Sequence, residues 1–349
     1  MKILLYKDSF SSRRGADRAV IALAEALSRR HAVVLVTTSE HTTPIGTTVQ
    51  VVRFSSTVEL RHAIAAIRPD VIISAGTNET RDLASTYPSH FPCPIVHQFH
   101  VYPPSTFKWK RFIRNWKTRR AIRRVAAVQV LLPAYVSSVR KWLGNEQRIV
   151  VIGNAVDVGT FNSTPHVSRG GMPPHIVYPA VLNTDKRQEL LIRAFARMDA
   201  HRNAVLSLYG NGRPKFIARL KRLATKLSVA ERIRFEGFCD DLASIYTGAD
   251  LVAFPSRVEG FGLVLTEAAA FGKRIVACSD CLASAELVPR FGGILSAPNP
   301  HALASALERG LVPNRRHTDT LRIKNTLDEF SPHSIYGRWE RLLASLLRD

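Results

Sequence analysis

The densest set of chemically capable groups lies in Pro255-Ser256-Arg257-Val258-Glu259-Gly260-Phe261-Gly262-Leu263-Val264-Leu265-Thr266-Glu267. The run follows an apolar stretch, Leu251 to Phe254, and leads into residues of high helix propensity, Leu263 to Phe271. Gly260 and Gly262 mark a turn where backbone passes close to a ligand or takes positive φ. Exposed backbone N–H groups at the start of the following helix attract phosphate. With the helix starting near Leu263, Glu259 stands in the loop above it and Glu267 one turn in, so both acids are expected to face one pocket. A carboxylate in the first turn also complements the helix dipole, which by itself explains Glu267 as a stabilising residue. Gly, Phe and Gly between the two acids favour a ligand.

A second concentration of chemistry is electrostatic. The chain has 349 residues with 49 Lys and Arg against 28 Asp and Glu, a net charge of +21. Between Asp82 and Glu146 no acidic residue occurs, while Lys108, Lys110, Arg111, Arg114, Lys117 and six further basic residues do. Trp109, Phe112, Ile113 and Trp116 interleave with these cations at the spacing of one helical face. A basic amphipathic stretch with Trp and Phe suits an anionic membrane interface. A solvated helix packing its aromatic face on a sheet is the other reading. A pI near 10.5 also raises nucleic-acid binding, but no recognisable nucleic-acid module accompanies it.

Other candidates are weaker. Asp240-Asp241 ahead of Leu242 to Ile245 reads as a helix N-cap rather than a metal pair. Cys278-Ser279-Asp280-Cys281 is a C-x-x-C without the second pair that zinc requires, and Cys93 and Cys239 are isolated. Reduced, unliganded thiols in a reducing compartment are expected.

The elements that position these groups alternate. Lys2 to Tyr6, Ala32 to Thr37, Val49 to Phe54, Val71 to Ser74 and Pro94 to Phe99 read as strands. Ala16 to Arg29 and Leu60 to Ile67 read as helices between them. Near Gly153 to Pro174 a polar, Gly- and Pro-rich stretch interrupts the alternation, which restarts at Ile176. Continuous apolar strands alternating with helices imply parallel sheets. Two βα domains are predicted, and the ligands of such sheets bind beyond the strands' carboxyl ends. Ile335 to Leu347 reads as a final amphipathic helix. No apolar run reaches the ~20 residues of a membrane-spanning helix. The first eight residues turn charged too soon for a signal peptide, so a secreted or spanning protein is not expected.

At this point the sequence resembles a known family. Pro255 to Glu267 is similar to the E-x7-E motif of the retaining GT-B glycosyltransferases called family 4 (glycosyl transferases group 1). Ile233-Arg234-Phe235-Glu236-Gly237-Phe238, Ala249-Asp250 and Phe271-Gly272 match in order and spacing. Asn154-Ala155-Val156-Asp157 with Phe161 resembles the family's interdomain motif, and Glu286-Leu287-Val288 with Gly292 to Leu295 a later one. The resemblance implies an α/β fold of GT-B architecture: two Rossmann-like domains facing across a cleft, with the C-terminal helix crossing back to the first. The domains would be 1–165 for the acceptor, 166–330 for the nucleotide-sugar, and 331–349 for that helix.

The resemblance also implies roles. Glu267 would bond the donor ribose and Glu259 would lie near the donor sugar. The loop amides of Gly260, Phe261, Gly262 and Leu263 would meet sugar and diphosphate, and Lys186 would neutralise the diphosphate. Gly15, in Arg14-Gly15-Ala16-Asp17-Arg18, would allow close approach of phosphate. Either His97 or His100 fits the sugar-contacting histidine; His100, at the strand's carboxyl end, is better placed. The catalytic set is then His100, Glu259 and Lys186. The family often has Arg where Val181 stands here, and Arg14 replaces a Gly of the first loop. The implied activity is a metal-independent hexosyltransferase moving sugar from a UDP- or GDP-linked donor, with retention, to a saccharide or lipid-linked acceptor. The nucleotide-sugar is a co-substrate, and no cofactor or nucleic acid is expected. The role would be cell-surface polysaccharide or glycolipid synthesis, at the inner face of the membrane through Trp109, Lys110, Arg111, Arg114, Trp116 and Lys117. The departure at Val181 keeps a second reading, a catalytically weak GT-B domain that binds nucleotide-sugar or a partner. A basic nucleic-acid-binding protein is the third.

Overall fold

The structure is a computed structural model. It describes residues 1–10, 15–39, 48–100, 109–156, 172–199, 203–312 and 320–348, with backbone only for 109–115 and 320. The chain divides into two compact units, Met1–Ala155 with Pro332–Asp349, and Val156–Ser331. The boundary expected at 165/166 lies outside the described residues.

Unit 1 is built on seven parallel strands. They are β1 (Lys2–Tyr6), β2 (Ala32–Thr37), β3 (Gln50–Arg53), β4 (Val71–Ser74), β5 (Ile95–Gln98), β6 (Ala127–Val130) and β7 (Ile149–Val151), in the order β3-β2-β1-β4-β5-β6-β7. Ile3, Leu4, Leu5, Val71, Ile72 and Ile73 are fully buried, because a central parallel strand is covered on both faces. The crossovers include α1 (Gly15–Ser28), α2 (Thr57–Ile67), α3 (Thr77–Thr86), α4 (Trp109–Ile122) and α5 (Val136–Leu143). Helix α2 starts where the Ser56 side chain accepts the Glu59 N–H at 3.2 Å while the Glu59 carboxylate accepts the Ser55 N–H at 2.8 Å, a reciprocal cap. The last helix, α13 (Pro332–Leu346), belongs to this unit. It buries Trp339 and Leu343, sets Glu340 Oε2 at 2.7 Å from His31 Nε2, and receives Arg148 Nη2 on Ser345 at 2.8 Å.

Helix α3 had no sequence signal. Thr77-Asn78-Glu79-Thr80-Arg81-Asp82 carries little apolar patterning, and its inner face buries Glu79 and Thr80, which are satisfied by polar partners rather than by a greasy stripe.

Unit 2 has six parallel strands. They are β8 (His175–Pro179), β9 (Val205–Tyr209), β10 (Ile233–Gly237), β11 (Leu251–Phe254), β12 (Arg274–Cys278) and β13 (Ile294–Ser296), in the order β10-β9-β8-β11-β12-β13. Helices α6 (Gln188–Phe195), α7 (Pro214–Lys226), α8 (Leu242–Thr247), α9 (Leu263–Ala270), α10 (Leu282–Arg290), α11 (Pro300–Leu311) and α12 (Thr320–Asp328) complete it. Asp241 caps α8, accepting the Ser244 N–H at 3.1 Å, as the sequence suggested. The order of strands reverses between β1 and β4 in the first sheet and between β8 and β11 in the second. Loops diverge there, above and below the sheet, and leave a crevice at the carboxyl ends.

Among the described residues no helix is long and apolar enough to cross a membrane.

Candidate functional site

Lys186 follows β8 and Glu259 follows β11, the two strands flanking the reversal in the second sheet. Lys186 Nζ lies 2.5 Å from Glu259 Oε1, with the two side chains only 20% and 15% exposed. Local turns fix both residues. Asn183 Oδ1 accepts the N–H groups of Asp185 and Lys186, each at 3.0 Å, which closes a short 3-10 turn over Thr184–Lys186. Arg187 then takes the left-handed conformation at φ 53° and its guanidinium grips the Asp280 carboxylate with two bonds of 2.8 and 2.6 Å. The Glu259 loop is tied to the Lys186 loop by Arg257, whose N–H donates to the Asp185 carbonyl at 2.9 Å. Its side chain reaches the Asp185 carboxylate at 2.7 Å.

The neighbouring β9 loop is pressed against the same segment. Gly210 has φ +123°, and a Cβ there would stand 2.2 Å from the Ala180 carbonyl oxygen, so only glycine fits. Val181, at the position where the resemblance leads one to expect Arg, is 48% exposed.

Beyond Glu259 the chain turns into α9. Gly262 adopts φ 82° and α9 begins at Leu263, its first turn closed by the Leu265 N–H on the Gly262 carbonyl at 2.8 Å, so the start of the helix lies at this loop. Gly260 does not take a positive φ; the single left-handed step at Gly262 accomplishes the turn. The Phe261 side chain is 3% exposed and packs edge-on against Phe330 at 5.2 Å, so what that residue offers a ligand is its backbone. Glu267 Oε2 accepts the Tyr246 hydroxyl at 2.8 Å. The two acids expected to share a pocket thus engage different partners, Glu259 the ammonium and Glu267 the phenol.

The equivalent reversal in the first sheet carries a second charged cluster. Lys7, directly after β1, lies 2.9 Å from Glu79, whose side chain is 4% exposed. The same carboxylate accepts the Asp8 N–H at 3.2 Å. Tyr6 donates to Asp82 at 3.0 Å. Burial holds the Asp82 carboxyl above its ordinary range. Gly15 opens α1, and Arg14 lies outside the described residues.

The two histidines differ sharply. His97 is wholly buried inside β5, its Nδ1 bonded to Thr80 Oγ1 at 2.7 Å. His100 lies past the strand's end, and both ring nitrogens are out of solvent without a partner among the described residues. Burial depresses both, His97 to about 3 with the nearby His100 adding to the effect, and His100 to about 4 with Lys7 adding. An unfolded His takes its proton near ~6.5. Below that value the unfolded chain binds more protons than the folded one. Stability is therefore complete above ~6.5 and falls as pH drops toward 4, at up to ~1.4 kcal/mol per pH unit for each ring. Urea melts at pH 7, 6 and 5 test this: His97→Gln should remove about half of the histidine slope.

Trp116 is 52% exposed and Lys117 is also exposed, with the Arg120 guanidinium 5.7 Å from the Trp116 ring centre. The side chains of Trp109, Lys110, Arg111 and Arg114 lie outside the described residues. Cys278 and Cys281 are buried free thiols, Cys278 pushed up to about 12 by burial. No group of three or more metal-ligating side chains occurs among the described residues.

Tyr178, Ser256, Tyr246, Lys7 and Glu79 carry no signal in the sequence. Each acts through a partner tens of residues away, and no local spacing betrays such a pairing.

Two family models match in tandem: Glycosyltransferase Family 4 over residues 13–160, and Glycosyl transferases group 1 over residues 164–318. A D-inositol 3-phosphate glycosyltransferase of Corynebacterium diphtheriae is 31% identical over 190 residues, 49% of this chain and 44% of that protein. The matched stretches span less than half the length of the curated relatives. Among solved structures, sucrose-phosphate synthase from Thermosynechococcus elongatus has a TM-score of 0.86 at 19% identity, covering 99% of each chain. Anabaena Alr3699/HepE, solved in complex with UDP, has a TM-score of 0.82 at 19% identity, covering 99% of this chain and all of that one. These similarities establish the GT-B fold, and with both halves matched in order the chain belongs to glycosyltransferase family 4.

Proposed function

We propose that the chain is a glycosyltransferase that takes a hexosyl group from a nucleotide-sugar, a UDP-sugar in the first instance, and delivers it with retention to a saccharide or lipid-linked acceptor. The observation that carries this reading is the Lys186–Glu259 pair at the strand reversal of the second sheet, beside the opening turn of α9. HepE, a neighbour in fold, was solved with UDP, which supports the choice of base.

The chemistry follows from charge. Breaking the bond between the anomeric carbon and the diphosphate oxygen leaves positive character on the sugar and negative charge on the diphosphate. The acceptor hydroxyl oxygen forms the new bond, and its proton leaves with the diphosphate. Lys186 has three ammonium hydrogens and points one at Glu259, leaving donors for phosphate oxygens. Together with the N–H groups opening α9, it stabilises the departing charge, and electrostatic stabilisation of this kind commonly contributes more to catalysis than any other effect. Glu259 holds the ammonium and stands by the sugar. Glu267, oriented by Tyr246, accepts a ribose hydroxyl. His100 is a neutral imidazole throughout the physiological range and so offers the acceptor side a hydrogen bond rather than a charge. No metal is required by this set. Attachment to anionic lipid through α4 belongs to the same reading, with Trp116 and Lys117 on the exposed surface.

Thermal shift against UDP- and GDP-sugars tests the donor first. A specific ligand at a hundred times its Kd stabilises by ~2.7 kcal/mol. Stabilisation by a UDP-sugar, its loss in Glu267→Ala, and transfer that persists in chelator are expected. Proton NMR of the product reads the anomeric configuration. No shift with any nucleotide-sugar would overturn the reading. Binding without turnover would leave the weak GT-B domain that Val181 suggests.

A further inference from the structure

Two carboxyl-end loops of the second sheet, those after β8 and β11, converge on one hydroxyl group. Tyr178 lies in β8, fully buried, its ring edge-on to Phe254 of β11 at 6.2 Å. Its hydroxyl is 2.9 Å from the Lys186 carbonyl and 2.7 Å from Ser256 Oγ. A carbonyl only accepts, so the single phenolic hydrogen goes to Lys186. The Ser256 hydroxyl must then donate to the Tyr178 oxygen. Ser256 is likewise fully buried and stands three residues before Glu259. One oxygen atom thus holds the backbone of Lys186 on one loop and the root of the Glu259 loop on the other.

The geometry points to Tyr178 as the positioning residue for the Lys186–Glu259 pair: its hydroxyl sets the separation of the two loops, and through them the placement of the ammonium for the donor's diphosphate. Two other ties join these loops: the Arg257 N–H to the Asp185 carbonyl at 2.9 Å, one residue before Lys186, and an ion pair between the same two residues. The Arg257–Asp185 ion pair is more than half exposed on both sides, where such pairs contribute little. The Tyr178 bonds sit in a dry interior, where a lost partner is not replaced by water. Burial also drives the Tyr178 phenol far above its ordinary pKa, so the donor hydrogen is retained at every working pH.

The inference rests on the donor-site reading for its kinetic consequence but not for its structural one, and the test separates the two. Tyr178→Phe keeps the ring and removes the oxygen. In the full-length protein it is expected to lower kcat by ~10–100-fold, since small displacements of positioned groups have effects of that size. The KM for acceptor should stay unchanged. Independently of any turnover, reductive 13C-methylation should label Lys186, assigned with Lys186→Arg, faster in Tyr178→Phe than in wild type, and the label's chemical shift should move. Ser256→Ala should show the same changes at smaller amplitude. It also serves if Tyr178→Phe does not fold, and the double variant should be no worse than Tyr178→Phe alone. A purely structural role predicts a lower Tm with kcat per folded molecule and Lys186 reactivity both unchanged, and that result overturns the inference. If wild type neither binds nor turns over a nucleotide-sugar while Lys186 becomes more reactive in the variant, the positioning role stands and the donor-site reading falls. If wild type neither binds nor turns over a nucleotide-sugar and Lys186 reactivity is unchanged in the variant, both fall.

Discussion

Lys186→Ala is expected to reduce sugar transfer by about 10²–10³-fold, the size of effect seen when a preorganised electrostatic donor is removed. The fold should survive, because the 3-10 turn is held by the Asn183 side chain and the backbone of Lys186, neither of which changes. The loss is compounded at Glu259, which keeps its negative charge beside the diphosphate with no ammonium to offset it. Lys186→Arg is not expected to restore full activity, because a planar fork replaces a compact cation where ammonium and carboxylate meet at 2.5 Å. Initial rates of UDP release at saturating acceptor measure the effect. A variant within threefold of wild type would remove Lys186 from the mechanism.

The second large effect is on stability. Lys7→Met should cost ~3–5 kcal/mol, because it strands the Glu79 carboxylate in an environment from which water is nearly excluded. Among the described residues the Asp8 N–H alone then remains to solvate it. Replacing both members, Lys7→Met with Glu79→Gln, should recover most of the loss, since the charge that suffers is then absent and the amide oxygen still accepts from Asp8. Urea denaturation at pH 7.5, where both buried histidines are neutral in folded and unfolded chains alike, isolates the ion pair. Equal stability of the single and double variants would show that the pair contributes only shape.

Much of the second unit was legible from residue order. The strand Leu251–Phe254, the helix beginning at Leu263 and the glycine turn before it follow from a β-branched and aromatic run, a pair of glycines and an alanine-rich tail. The parallel character of both sheets was implied by continuous apolar strands between helices. Helix α3 was not legible, because Glu79 and Thr80 face inward and no apolar period marks that side. The sequence points to Lys186 and Glu259 separately; that they touch depends on β8 and β11 being neighbours, a matter of strand order across 73 residues. Tyr178 was hidden for the same reason: it reads as one more apolar residue of a buried strand, and its polar tip acquires meaning only when Ser256 arrives from β11. Of the two glycines in that turn, Gly262 alone takes the positive φ, a choice that residue type by itself does not reveal.

The assignment of α13 to unit 1 bears on how the polypeptide is made. Unit 2 is one uninterrupted span, Val156–Ser331, whereas unit 1 needs Pro332–Asp349 to cover α1 and seat Trp339. On the ribosome, the later-synthesised span can therefore finish condensing while the earlier one waits with an uncovered apolar surface. Chaperone dependence and premature-stop products should concentrate on that waiting half.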